Sequence, residues 1–93
     1  MASYMICYDL YQDGQQYGKV EETIQELGKC VKVLRTTWIL DSTNSLNHIK
    51  TMLEIVTDNN DKIIIVSLDK KAACLRLGYS IENWLRDNGF SLD

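Results

Sequence analysis

An α+β sandwich of β-α-β-β-α-β order is what this sequence predicts, and three observations predict it. The run that ends in "MICYD", residues 5–9, is continuously apolar up to its final acid, the pattern of a strand buried on both faces of a sheet. Two later stretches, Tyr17 to Leu27 and Leu46 to Val56, place their apolar residues at helical spacing. Between them residues 30–41 leave no room for a further helix, so the two middle strands must meet directly.

Taken in order, the first strand covers residues 3–9, and Asp13-Gly14 after it is a turn signal. The first helix shows Tyr17, Val20, Ile24 and Leu27 on one side and Lys19, Glu21, Glu22, Gln25 and Glu26 around the rest, with Gly28 as its expected C-cap. "CVKVLRTTWILD", residues 30–41, is β-branched and aromatic and reads as two short strands meeting near Arg35-Thr36. Asn44 or Ser45 can cap the second helix, which carries Leu46, Ile49, Met52, Leu53 and Val56 along one side. "KIIIVSL", residues 62–68, is the fourth strand. After a stretch with little pattern, Ser80 is placed to cap a short last helix with Ile81, Trp84 and Leu85, ended at Gly89.

This order is that of the ferredoxin-like sandwich, two helices on one face of an antiparallel sheet, here as a single domain over residues 1–93 with a short C-terminal helix. A small doubly wound α/β unit is the alternative, disfavoured by the tight connection between the middle strands. The ferredoxin-like strand order, 4-1-3-2, puts the apolar first strand inside the sheet and the fourth at an edge. Ile63 to Val66 at an open edge would invite aggregation, so the tail or a second copy is expected to cover it. A homodimer is the simpler expectation.

Composition narrows the classes of function. An apolar fraction of 45% and a charged fraction of 25% are those of an ordinary globular domain. No apolar stretch approaches the ~20 residues of a membrane span and no leader pattern is seen, which predicts a cytoplasmic protein without a membrane partner. Cys7, Cys30 and Cys74 are widely spaced and odd in number, which fits reduced thiols rather than a disulfide framework. With one histidine, His48, and no close cysteine pair, a zinc-type site is not expected. A net charge of −3 limits any nucleic-acid interface to a small local patch, for which Arg35, Lys32 and the Lys70-Lys71 pair are the candidates.

The topology sets Asp9 at the end of the first strand, on the side of the sheet shared by Arg35, Thr36 and Asp61. Asp41 and Asp69 fall at the opposite end. A carboxylate, a hydroxyl and a guanidinium thus meet near one strand tip. Two readings of Asp9 stand side by side: an aspartate that starts a turn, or a residue held at a strand tip to do chemistry. Arg35 and Thr36 carry the corresponding pair of readings, solvent-facing hairpin residues or parts of a site. His48 is read as a solvated helix residue, and Trp38 and Trp84 as core anchors.

Tyr8-Asp9-Leu10, Gly14-Gln15-Gln16-Tyr17 and Thr36-Thr37-Trp38 occur in an order that resembles the SinR-type relatives of the CRISPR-associated protein 2 family over about the first three quarters of the chain. More distantly the chain is similar to VapD-like toxin ribonucleases. The resemblance implies a ferredoxin-like homodimer in which the strand-end aspartates face one another across the two-fold. It also implies Mg²⁺- or Mn²⁺-dependent cleavage of RNA or DNA phosphodiesters, with Asp9 as metal ligand and Thr36 beside it. Leu34 stands where family members often carry glutamine, the pI near 5.0 is lower than theirs, and residues 69–93 show no obvious counterpart of their C-terminal strand. Two functions are therefore expected to compete: a metal-dependent endonuclease acting as a homodimer, and a non-catalytic homodimeric module or toxin-antitoxin-type component that keeps the fold without the chemistry.

Overall fold

The computed structural model describes residues 1–11 and 17–93; the Asp13-Gly14 turn and Gly14-Gln15-Gln16 lie outside the described residues. Its elements are β1 (Ala2–Asp9), α1 (Tyr17–Leu27), β2 (Lys29–Leu34), β3 (Thr37–Ser42), α2 (Leu46–Ile55) and β4 (Lys62–Leu68), then β5 (Lys71–Ala72), α3 (Tyr79–Asp87) and β6 (Ser91–Leu92). The first four long strands form one sheet in the order β2-β3-β1-β4, with β1 antiparallel to both of its neighbours. β1 therefore lies inside the sheet, as its unbroken apolar run requires, and β4 lies at an edge.

Alternation along each strand divides its side chains between two faces. On one face Tyr4, Ile6 and Tyr8 of β1 meet Trp38 and Leu40 of β3, and α1 and α2 close over them with Val20, Ile24, Leu27, Ile49 and Leu53. Each fully buried aliphatic side chain here contributes about 1.5–3 kcal/mol, so this layer is the main source of stability. Ser45 caps α2, its side chain accepting from the His48 amide.

The second face is covered as well, which the sequence reading did not foresee. Ile39, Leu85 and Phe90 form its buried centre, packed with Met5, Val31, Trp84 and Leu92. The tail thus lies over the sheet as a third layer rather than beside the β4 edge. Within it β5 and β6 pair as a short parallel ladder, too brief to show in the sequence pattern.

Two expected caps differ. Ser80 does not cap α3: the helix begins at Tyr79 with Gly78 at the N-cap and no side-chain hydrogen bond. Gly28 is not a left-handed C-cap either, since the positive-φ glycines among the described residues are Gly78 and Gly89. Gly28 is needed for space, because a Cβ there would stand 2.2 Å from the Asp41 carbonyl oxygen.

Candidate functional site

Asp9 ends β1 directly opposite Lys62 of β4, and both are exposed. The amide of the preceding residue, Tyr8, donates to the Thr36 carbonyl at 3.1 Å, which brings the β2–β3 turn and Arg35 to the same tip. Asp61 is also here, but its carboxylate is occupied. One oxygen accepts from the Tyr11 amide at 2.7 Å and the other from the Asp58 amide at 2.8 Å. Asp61 thus ties the chain leaving β1 to the loop entering β4, and it braces the tip without adding a ligand to it. Among the described residues the Asp9 carboxylate enters none of the ion pairs.

Beside the tip the sheet's second face is left partly open. The tail covers the rows through Ser3 and Met5, whereas in the row Leu34, Thr37, Cys7, Ile64 the two ends are 58% and 59% exposed. Cys7 Sγ and Thr37 Oγ1 touch at 3.3 Å in the middle of that row. A shallow hollow of about 280 Å³ runs from Cys7 and Ile64 to the Asp9–Lys62 pair. Cys7 points to this face and Tyr8 to the other, so the tip joins an open apolar strip to a buried polar network.

That network was missed in the sequence. The Trp38 indole N–H donates to the Tyr8 hydroxyl at 3.0 Å, and the hydroxyl donates to Glu21 Oε2 at 3.1 Å. Lys32 Nζ then pairs with the same Glu21 oxygen at 2.6 Å. Burial pushes the Tyr8 phenol up to about 12, the Trp38 hydrogen bond opposing the shift and Glu21 adding to it. The available signal was the polar end of a tyrosine on a core strand, which must find a partner.

The four candidate phosphate-binding cations are dispersed. Arg35 is exposed at the tip, whereas Lys32 is paired with Glu21. Lys70 lies at the far end of the sheet, where its ammonium reaches Asp41 Oδ2 at 3.4 Å and the Asn88 carbonyl at 2.8 Å. Ser3 donates to the other oxygen of this buried Asp41. Lys71, exposed, opens β5 beside Lys70. Only Arg35 joins Asp9 and Thr36.

Among the described residues no three His, Cys, Asp or Glu side chains gather closely enough to hold a metal ion. One chain brings, among the described residues, Asp9 and Thr36 to the tip, where the other carboxylate, Asp61, is taken up by the Tyr11 and Asp58 amides. Among the described residues no helix is long and apolar enough to cross a membrane. No protein-family model matches this sequence, and no curated protein matches it.

Proposed function

We propose that this chain is a ferredoxin-like, homodimeric, metal-dependent endonuclease of the CRISPR-associated protein 2-like superfamily, with Asp9 as its metal-binding residue. The observation that carries this is the exposed Asp9 at the end of the interior strand, beside Thr36 and Arg35 and next to an open strip of sheet. The strand order β2-β3-β1-β4, antiparallel throughout, supports the fold assignment. In the proposed dimer the open strip packs on its copy, so the two Asp9 carboxylates supply the charge that one cannot. Facing carboxylates repel, and a cation that both can hold relieves this. Mg²⁺ or Mn²⁺ suits an all-oxygen site, and when bound it neutralises phosphate charge and acidifies a water. Arg35 would grip the phosphate by paired hydrogen bonds, and the Thr36 hydroxyl would orient the attacking water.

The test is cleavage of single-stranded RNA and of duplex DNA with Mn²⁺ or Mg²⁺, comparing wild type with Asp9→Asn. That substitution removes charge with no change of shape at an exposed position. The expected result is cleavage that rises at mildly alkaline pH and falls at least ~100-fold in the variant, the scale of losing a group that acts in the transition state. Equal cleavage by both proteins would place the activity elsewhere.

A second reading is favoured by a specific observation: Lys32 and Lys70 are engaged in ion pairs with Glu21 and Asp41. Little cationic surface is then left for a phosphate backbone, which suits a non-catalytic homodimeric module. A dimer that neither binds Mn²⁺ nor cleaves would select this reading.

A further inference from the structure

β4 presents seven residues of outer edge that no described strand pairs. The opposite edge, β2, is blunted by a register shift between Lys32 and Leu34 and by its lysines. β4 has no register shift and carries a lysine only at its first position, Lys62, after which Ile63, Ile64, Ile65 and Val66 follow one another. Between this edge and α2 run two adjoining clefts of about 310 and 430 Å³, which share Lys50, Ile63 and Ile65. Leu46 continues the apolar floor of one, while Glu54, Asp58 and Asp61 line the other where β4 begins. Lys50 is the single cation in that lining, against Glu54, Asp58 and an Asp61 whose oxygens already accept from two backbone amides.

Each part of this groove specifies part of an occupant. Unpaired strand backbone takes an extended chain, a floor of alternating isoleucines takes apolar side chains two residues apart, and the carboxylates take a cation. We propose that the groove binds an extended peptide segment of a partner protein as an added antiparallel strand. The segment carries apolar residues at i and i+2 and arginine or lysine immediately after them. Antiparallel pairing, the more stable kind, directs the C-terminal, basic end of the segment towards Glu54 and Asp58. In the register centred on Ile65, which would pair the strand in full, two antiparallel β4 strands would set Asp61 against Asp69 of the copy, which disfavours a second copy as occupant. The groove adjoins the open strip beside Asp9, Ile63 and Ile64 lining both, and its peptide binding does not depend on nuclease activity.

The experiment uses two capped heptapeptides of alternating threonine and isoleucine, one ending in two arginines and the other in two glutamates, titrated into ¹⁵N-labelled protein at low ionic strength. Amide shifts are expected along residues 62–68, with the arginine peptide binding at least about tenfold more tightly, as two exposed charge pairs allow. The double variant Glu54→Lys/Asp58→Lys, altered only at exposed side chains, should keep the circular dichroism of the wild type and reverse the order of the peptides. The proposal is overturned if neither peptide moves the β4 amides at millimolar concentration, or if both bind alike. It is also overturned if dilution of the protein alone shifts the β4 amides without moving those of Cys7 and Thr37 in the open strip, which would assign the edge itself to a second copy.

Discussion

Tyr8 points inward from the interior strand, into a layer where a bare hydroxyl would cost about 1–3 kcal/mol. Its bonds to Trp38 and Glu21 remove that cost and draw α1 towards the sheet. Tyr8→Phe leaves the indole N–H without its acceptor, so thermal or urea unfolding at neutral pH should show a loss of about 1–3 kcal/mol. The pH dependence has a definite sign. The folded phenol holds its proton to about 12 against an ordinary 10.0, so its contribution is complete below pH 10 and is lost as pH rises towards 12. Stability of the wild type should therefore fall more steeply across that window than stability of Tyr8→Phe. Asp61 is another residue whose role came only from the structure. Its two short contacts to the Tyr11 and Asp58 amides predict that Asp61→Ala costs about 1–2 kcal/mol and speeds hydrogen exchange at those two amides. Neither arrangement was legible in sequence, because each joins atoms far apart in the chain whose meeting depends on the finished sheet. Asp9, Thr36 and Arg35 were placed at one tip because strand direction alone decides which end of the sheet a residue reaches.

Strands and long helices were read well for a related reason. Each of β1 to β4 and both larger helices advertises its buried face by period, and a burial preference repeated over several turns or residues is hard to mistake. The tail has no such repetition. β5 and β6 are two residues each, and beyond the Leu85 and Phe90 packing on the sheet the tail is fixed by single contacts around Lys70, whose backbone adopts φ 68°. The Lys70 ammonium bridges Asp41 and the Asn88 carbonyl, and its own carbonyl accepts from the Ser91 amide at 2.9 Å. A left-handed lysine carries a backbone cost of about 1 kcal/mol, so the charge contacts must outweigh it. Lys70→Ala leaves the buried Asp41 without its cation and should cost about 2 kcal/mol, with exchange rising in residues 88–92. Lys70→Gly should recover part of this by relieving the backbone while leaving Asp41 unpaired. Gly28 gives the complementary case: Gly28→Ala forces a Cβ into the Asp41 carbonyl, and overpacking against rigid backbone should cost at least about 1–3 kcal/mol, seen as a lower melting temperature.

At the scale of the molecule, charge and layering set what the surface can do. A chain of net charge −3 with two of its candidate lysines in ion pairs should bind nucleic acid weakly and lose that binding steeply with salt. Fluorescence anisotropy of a labelled single strand at low and physiological salt checks this, and tight binding insensitive to salt would contradict it. The third layer, invisible to a reading of helices and strands alone, also decides how the molecule gives way under load. Ser3 and Leu68 stand opposite one another on neighbouring antiparallel strands, and the tail begins just after Leu68. Tension on the two termini first strips off the tail, held by the Leu85 and Phe90 packing, its two-residue ladder and the Lys70 contacts, and then falls on that facing pair. The β1–β4 ladder is loaded at one end and opens rung by rung, like a zipper, instead of resisting as a whole in shear. A motor that engages the C-terminus should therefore unravel this protein at low force, with a short early extension of the tail before the sheet parts.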